Sequence, residues 1–350
     1  MLTRFIDKFI QRVAFVIMLC MVMVACSDSD DDAVGTDDVS VAFTLTVADA
    51  ASTRAENDGW DDYSPAQDGI LNENLVNTDD IIIAIYDDKG NKVDNVEDLR
   101  VTTVSDPSIT GATMYAITGV WRNAKPNVDK AKRVMVIANS NVSAWADPSA
   151  LTYDLNLGTR KYIPMWGVVK IPATLTLGKQ NKLHNIRMLR AMAKVSVSLR
   201  TDMTTYGYAI GSMTVNDYNT KGYCVPKTFN EVDNTSEVRF ANSLNVLDSH
   251  ADKIALPTTA PLYLPEYDNS GANPTTITVN LNRGGKLEGK YTLEFRNYDS
   301  DGKPTGSTYP IQRNHYYQYW IYKENEKMIV TLHVRKWNRR IYPEDDGIIM

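Results

Sequence analysis

The chain has 350 residues, of which 43% are hydrophobic, and it carries a formal net charge of −6. Residues 26–54 contain seven aspartates and one arginine, so the acidity lies largely near the start and the rest has no basic field for nucleic acid. The cysteines are Cys20, Cys26 and Cys224. The first two belong to the leader described next, which leaves Cys224 without a disulfide partner, so a core or partner proteins must stabilise the fold.

The first 25 residues have the order of a bacterial export signal. Their basic residues are Arg4, Lys8 and Arg12, and residues 13–25 carry no charge. This uncharged stretch is too short to span a bilayer, which predicts a signal peptide cut between Ala25 and Cys26. Residues 23–26, MVAC, fit a lipobox and predict lipidation of Cys26, with acyl chains holding the protein at a membrane. The alternative is an ordinary signal peptide with an incidental cysteine.

Residues 26–38 are predicted to be an acidic linker. Within them, SDSDDD (27–32) resembles the acidic tag that follows the lipidated cysteine in surface-exposed lipoproteins of Bacteroidota. That resemblance implies delivery to the outer face of the outer membrane.

The segment VSVAFTLTV, residues 39–47, alternates strictly and predicts a strand with one apolar face. The residues on that face are Val39, Val41, Phe43, Leu45 and Val47. A stretch of small residues follows and ends in Arg54, the only basic residue between Arg12 and Lys89. Either this is an ordinary first strand followed by a loop charge, or the strand is one that the protein is built to lose.

Downstream, most apolar segments also have a period of two and are bounded by turn residues, which is typical of antiparallel β-sandwiches. Strands are predicted at 81–86, 114–118, 133–138, 195–199, 275–282, 291–295 and 328–334. Short helices are predicted near 141–151 and 204–213, where the period is ambiguous. A turn at 175–184 predicts a boundary between domains at 39–180 and 181–350, and residues 50–71 form the one long weakly structured stretch.

Motifs for catalysis or metal binding are missing from the sequence. The histidines, His184, His250, His315 and His333, lack a metal-ligand partner at helical spacing, and paired aspartates are typical of solvated turns. No catalytic residue, metal or cofactor is therefore predicted, and the chain is predicted not to be an enzyme. The aromatic stretch RNHYYQYWIY (313–322) predicts a strand; the alternative is a sugar-stacking platform that includes Tyr317 and Trp320.

Several segments in order resemble the fimbrillin family, the type V pilins of Bacteroidota. They are IIIAIYDDKG (81–90), VMVIANS (134–140), IPMWG (163–167), IRMLRAMAKVSVSL (186–199) and IQRNHYYQYWIY (311–322), followed by a last strand that closes with Trp337. The most specific part is IPMWG followed by LRAMAKV some two dozen residues later. The ordered set spans most of the predicted mature chain.

The resemblance implies two tandem transthyretin-like β-sandwich domains, export as a lipoprotein, and polymerisation into a fimbrium that serves adhesion. In the family an arginine-specific protease removes the first strand and a terminal segment of another subunit replaces it. Here this implies a cut between Arg54 and Ala55 and loss of residues 39–54. The implied partners are other fimbrial subunits, the protease, the lipid anchor and a host or bacterial surface ligand.

The end of the chain fits the family pattern less well. A donor tail should alternate, whereas residues 338–350 read NRRIYPEDDGIIM, with Pro343 unable to donate a ladder hydrogen bond. Residues that could fill pockets are Trp337, Ile341, Ile348 and Ile349. This favours an accessory or tip subunit over a stalk. The alternative function is a surface lipoprotein that stays acylated, as a fimbrial anchor or a glycan-binding module.

Overall fold

The structure is a computed structural model that describes residues 35–47, 73–105, 113–140, 151–155, 162–171, 174–226, 229–231, 238–240, 244, 246–256 and 261–336. The described part is almost entirely β-structure, which confirms the all-β prediction. The first ten strands are β1 (Val39–Val47), β2 (Ile81–Tyr86), β3 (Lys92–Asn95), β4 (Glu97–Ser105), β5 (Thr113–Trp121), β6 (Arg133–Ala138), β7 (Thr152–Asp154), β8 (Met165–Lys170), β9 (Gln180–Lys182) and β10 (Ile186–Arg190).

The second half contains thirteen more strands. They are β11 (Ala193–Leu199), β12 (Tyr208–Asn219), β13 (Lys221–Tyr223), β14 (Phe229–Glu231), β15 (Val238–Phe240), β16 (His250–Leu256), β17 (Leu262–Leu264), β18 (Thr276–Arg283), β19 (Lys286–Glu294), β20 (Asn297–Tyr298), β21 (Pro304–Thr305), β22 (His315–Glu324) and β23 (Lys327–Lys336). Each segment predicted as a strand from its period of two overlaps one of these strands.

Nine strands form the first sheet, in the order β3-β2-β6-β8-β10-β1-β5-β4, with β9 also paired to β1. Side chains of β1 and β5 share one apolar core with side chains of β2, β6 and β8. Strands that are far apart in the sheet order therefore face each other, so the sheet folds over on itself as a sandwich. Most pairings are antiparallel, but β1 runs parallel to both β9 and β10.

The strand β10 joins the two halves of this sheet, because it pairs with β8 on one side and with β1 on the other. Trp166 of the IPMWG motif lies opposite Leu189 of the LRAMAKV motif. A Cβ atom added at Gly167 would lie 2.7 Å from a methyl carbon of Ile186 and 2.9 Å from the carbonyl oxygen of Arg187. The glycine of IPMWG thus allows β8 to approach β10 closely.

Two four-stranded sheets follow, β17-β11-β22-β23 and β16-β12-β18-β19. A second core contains side chains from both sheets, so they pack face to face as another sandwich. Here too one pairing is parallel, between β11 and β22. A third apolar cluster contains residues of β2, β6 and β8 together with Cys224 and Tyr316, and thereby connects the first sheet to the second half of the chain.

The change from the first sheet to the later sheets falls between Arg190 and Ala193 rather than at residue 180. Strands β9 and β10 belong to the first sheet because they extend the edge of β1. The segment 175–184, predicted to be a turn at a domain boundary, contains β9 and lies inside that arrangement. A division into two transthyretin-like domains stays a prediction.

The helix predicted at 204–213 is wrong over most of its length. The structure has a short helix, α1 (Thr201–Thr205), after which β12 begins at Tyr208. Gly207, with φ of +80°, separates the two because glycine adopts this left-handed backbone without strain. A single turn of 3₁₀-helix spans Val128–Lys130. The helix predicted at 141–151 lies, apart from Leu151, outside the described residues.

Candidate strand-exchange site around strand β1

The strand β1 lies inside the first sheet, with hydrogen-bonded neighbours on both sides. It runs antiparallel to β5 in a continuous register from Val39 opposite Trp121 to Thr46 opposite Met114. On its other side β9 pairs with residues 40–42 and β10 pairs with residues 45–47. Removal of β1 would therefore leave unpaired main-chain groups along two strand edges.

The face of β1 predicted to be apolar points into the core of the first sandwich. Its five residues, Val39, Val41, Phe43, Leu45 and Val47, are each at most 3% exposed and belong to the same cluster as residues of β2, β5, β6 and β8. The prediction of which side chains face inward is confirmed. These residues define the five places that a replacing strand would fill.

The opposite face of β1 is also buried, although two of its residues are threonines. Thr44 and Thr46 are 5% and 7% exposed. Asn185, in the connection between β9 and β10, contacts both: the Thr44 hydroxyl donates to its Oδ1 at 2.8 Å, and its Nδ2 donates to the Thr46 hydroxyl oxygen at 2.9 Å. The side-chain amide of Asn181 donates to the carbonyl of Ser40 at 3.2 Å.

Two aspartates fix the point at which the chain enters β1. The Asp38 carboxylate accepts a hydrogen bond from the amide of Asn123 and pairs with the Arg122 guanidinium, both at 2.8 Å. The Asp37 carboxylate pairs with Lys125 at 2.9 Å. The Asn123 amide and the Arg122 guanidinium hold the pKa of Asp38 below its usual value. The end of the predicted acidic linker is thus bound to the first sheet.

Glu73 lies in a buried network that it forms with residues of β10, β11 and β17. The Glu73 carboxylate, 1% exposed, pairs with the ammonium of Lys194 at 2.9 Å and accepts a hydrogen bond from the Tyr263 hydroxyl at 2.6 Å. The Arg190 guanidinium donates to the carbonyl of Glu73 at 3.0 Å and contacts the side-chain oxygen of Asn74. Burial and the Glu73 carboxylate raise the pKa of Tyr263. These contacts bind Glu73 and Asn74 to residues of β10, β11 and β17.

Several predicted site residues lie outside the described residues. They are the signal cleavage and lipidation positions Ala25 and Cys26, the maturation cut between Arg54 and Ala55, and the tail positions Trp337, Ile341, Ile348 and Ile349. Each of these stays a prediction.

The sugar-stacking alternative fails at Tyr317, which is completely buried. Its hydroxyl donates to the carbonyl of Pro310 at 2.6 Å, and its ring packs edge-on against Phe295 with centroids 5.2 Å apart. The predicted strand at 313–322 is confirmed as β22. Tyr317 therefore has no free ring face on which a sugar could stack.

Other kinds of site have little support among the residues that the structure covers. That part of the chain contains no group of three or more His, Cys, Asp or Glu residues arranged to bind a metal ion. Within the same ranges, no helix is long and apolar enough to cross a bilayer.

Sequence reasoning did not identify Asn185, Asp38 or Glu73 as contributors to this site. One signal was available for Asn185, because hydroxyls at 44 and 46 on one face of a buried strand need a hydrogen-bonding partner. The partner itself could not be named, since it lies about 140 positions away in the sequence.

Comparisons with known proteins give matches only among solved structures. No protein-family model matches the chain, and no curated protein matches it. The chain is similar to a fimbrial assembly protein from Parabacteroides distasonis, with 13% identity, a TM-score of 0.49, and 85% of this chain and 96% of that chain covered. It is also similar to the tip fimbrial protein Mfa3 from Porphyromonas gingivalis with a C-terminal truncation, with 15% identity, a TM-score of 0.49, and 86% and 100% covered.

Proposed function

We propose that this chain is a non-enzymatic subunit of a bacterial surface fimbrium, that it serves adhesion, and that it joins the fimbrium by exchange of its first strand. Cys26 anchors the exported precursor to the outer membrane through acyl chains, and an arginine-specific protease cuts after Arg54. A strand of another subunit then takes the place of β1. The sequence motifs that resemble fimbrillins motivate this proposal.

The observation that carries the proposal is the position of β1 in the sheet. An interior strand with ladder partners on both edges and five buried apolar side chains lies at residues 39–47, before Arg54 in the sequence. A strand from another protein could use the same main-chain groups and the same five places, as in other cases of strand addition to a sheet. The contact joins different surfaces of two subunits, so each subunit keeps a surface for joining a further subunit.

The size of the apolar contribution determines how exchange must proceed. Burial of five Val, Leu or Phe side chains contributes about 10 kcal/mol of transfer free energy. The total stability of a folded domain is about 5–15 kcal/mol, so a sandwich with an empty β1 position would be close to unfolding. A cut after Arg54 should therefore leave β1 in place until another strand displaces it.

The Glu73 network supports the same order of events. Glu73 pairs with Lys194 in β11 and accepts a hydrogen bond from Tyr263 in β17, and both strands belong to a sheet other than the one that contains β1. A chain cut after Arg54 would retain Glu73, so these contacts could persist while β1 leaves.

The first test is the N-terminus of the protein recovered from the surface of the producing cell. The proposal expects assembled protein to begin at Ala55. An Arg54→Lys variant should keep the charge but resist an arginine-specific protease, and it should remain as an acylated, unassembled precursor. The matched control is Arg100→Lys in β4, which should assemble normally.

Two outcomes would overturn the proposal. Assembled protein that retains acylated Cys26 would favour the fimbrial anchor or another surface lipoprotein. Normal assembly of the Arg54→Lys variant would show that release of the first strand is unnecessary.

A second test locks β1 to its neighbour with a disulfide. Ala42 and Thr118 lie opposite each other on β1 and β5, with Ala42 on the face of β1 opposite the five apolar core residues. Antiparallel partners have Cα atoms about 4.5–5.5 Å apart, which suits a disulfide. The double variant Ala42→Cys, Thr118→Cys should be cut after Arg54 yet fail to assemble until a reductant is added. The single variant Ala42→Cys is the control, and assembly of the oxidised double variant would refute strand exchange.

A further inference from the structure

The parallel neighbour of β1 is interrupted opposite the middle of β1. On this side the register passes from Ala42 opposite Lys182, the last residue of β9, to Leu45 opposite Ile186, the first residue of β10. Between these pairs the amide of Leu183 donates to the carbonyl of Ala42 at 2.8 Å. At this gap in the ladder, the side chain of the residue just before β10 forms hydrogen bonds with side chains of β1.

That residue is Asn185, which forms one hydrogen bond with each of Thr44 and Thr46. A hydroxyl can donate or accept, so both bonds can form with either orientation of the amide group. The two threonines are buried, so a partner strand with apolar side chains there would leave the amide without these bonds. Sites that bind a hydroxyl discriminate strongly against analogues that lack it.

We propose that Asn185 selects the strand that replaces β1, and that it requires serine or threonine at two positions separated by one residue. These hydroxyls lie on the face opposite the apolar residues that fill the core. The inference rests on the proposed function, because it assumes that β1 is exchanged. Asn185 acts as a specificity-determining residue of the exchange site.

This requirement identifies the partner as a different protein rather than a second copy of this chain. Residues 337–350, the segment expected to act as a donor tail, contain no serine or threonine. Pro343 within them cannot donate a ladder hydrogen bond. The replacing strand therefore comes from another subunit in which five alternating apolar residues enclose a Thr-x-Thr or Ser-x-Ser pattern on the opposite face.

Peptide exchange into the cut protein tests this assignment. A recognition sequence for a site-specific protease is placed at 52–57 in the otherwise full mature chain, and cleavage leaves β1 bound without a covalent link to residue 73. Fluorescent peptides flanked by lysines then compete with β1. They carry VSVAFTLTV, the same sequence with Thr44→Val and Thr46→Val, or residues 337–350.

The threonine peptide should displace β1, and the valine peptide should bind about tenfold more weakly, as expected for loss of two part-buried hydrogen bonds. The tail peptide should not compete. In an Asn185→Leu variant the preference for threonine should vanish, because the side chain can no longer form the two bonds.

Two further variants control for folding and for specificity. Asn185→Asp keeps two acceptor oxygens for the threonine hydroxyls and should preserve the preference even if the leucine variant fails to fold. Asn280→Leu makes the same change at a partly exposed asparagine of β18, whose amide donates to the Ser212 hydroxyl at 2.8 Å, and should leave exchange unchanged.

The outcomes separate this inference from the proposed function. If no peptide displaces β1 in any variant, strand exchange itself is refuted and this inference fails with it. If threonine and valine peptides exchange equally, or if Asn185→Leu keeps the preference, exchange stands and the role of Asn185 is refuted. Displacement by the tail peptide as strong as by the threonine peptide would refute the assignment to a different protein.

Discussion

Strands β1 and β22 have similar positions but are fixed in different ways. Each lies between a parallel and an antiparallel neighbour, β1 between β10 and β5 and β22 between β11 and β23. Each contributes completely buried side chains to its core. However, Asn325 and Glu326 alone join β22 to β23, both with positive φ, whereas residues 48–80 separate β1 from β2.

The charged contacts at the start of these two strands differ as well. Before β22, Arg313 pairs with Glu266 at 2.7 Å, and both side chains are at most 7% exposed. Before β1, Asp38 pairs with Arg122, whose side chain is 46% exposed. Water can compete for the second pair but hardly for the first. Under the proposed function, β22 is a permanent strand, whereas β1 is held by contacts that a competitor can replace.

The largest expected effect comes from Phe43→Ala in β1, which should lower the free energy of unfolding of the precursor by about 3–5 kcal/mol. Urea unfolding of the intact chain measures this loss. After β1 has been exchanged, the same substitution should have no effect because residue 43 has left the core.

The control for this prediction is Ile321→Ala in β22. It should destabilise the protein by about 2–5 kcal/mol both before and after exchange. If Phe43→Ala still destabilised the assembled protein, β1 would be as permanent as β22 and the contrast between them would be wrong.

The next effect concerns the buried ion pair before β22. Glu266→Gln leaves Arg313 buried without its countercharge and should cost about 3 kcal/mol or more of unfolding free energy. Urea unfolding measures this loss as well. The preference of the exchange site for the threonine peptide over the valine peptide should not change, since the pair does not contact β1. A cost below about 1 kcal/mol, typical of exposed pairs, would contradict the distinction between the buried pair before β22 and the exposed pair before β1.

A smaller effect is expected on the rate at which β1 leaves the cut chain, and this effect should depend on pH. Because the pKa of Asp38 is lowered in the folded protein, its contribution is complete above the ordinary aspartate value and is lost as the pH falls through the lowered one. In the cut chain, Asp38→Asn should release β1 faster than the unsubstituted protein at about pH 7. The two release rates should converge at a pH well below the ordinary aspartate value, as Asp38 becomes protonated through its lowered pKa. Equal rates at both pH values would show that Asp38 does not hold β1.

Local patterns in the sequence were enough to predict most strands and the inward face of β1. Val39 to Val47 alternate, and a period of two determines which side chains share a face without knowledge of the partner strands. The prediction of a helix at 204–213 is wrong because the period of this short apolar segment is ambiguous. The helix ends before Gly207.

Long-range partners could not be predicted in this way. The parallel register of Leu45 with Ile186 joins residues about 140 positions apart, and nothing local specifies it. Arg190 and Lys194 occur in a strand pattern where charged residues usually indicate a solvent face. Their burial depends on Glu73, whose own sequence context resembles a loop.

The smallest effect tests whether every polar atom in these two strands is equally important. The hydroxyls of Thr44 and Thr46 in β1 both have a partner, whereas among described residues the buried Tyr319 hydroxyl in β22 has none. Burial raises the pKa of Tyr319 well above its usual value, so this hydroxyl stays neutral. Removal of an unpaired buried hydroxyl costs no hydrogen bond, so Tyr319→Phe should change the free energy of unfolding by about 0–1 kcal/mol, in the stabilising direction. A loss of about 1 kcal/mol or more in urea unfolding would reveal a partner for this hydroxyl and would remove this distinction between β22 and β1.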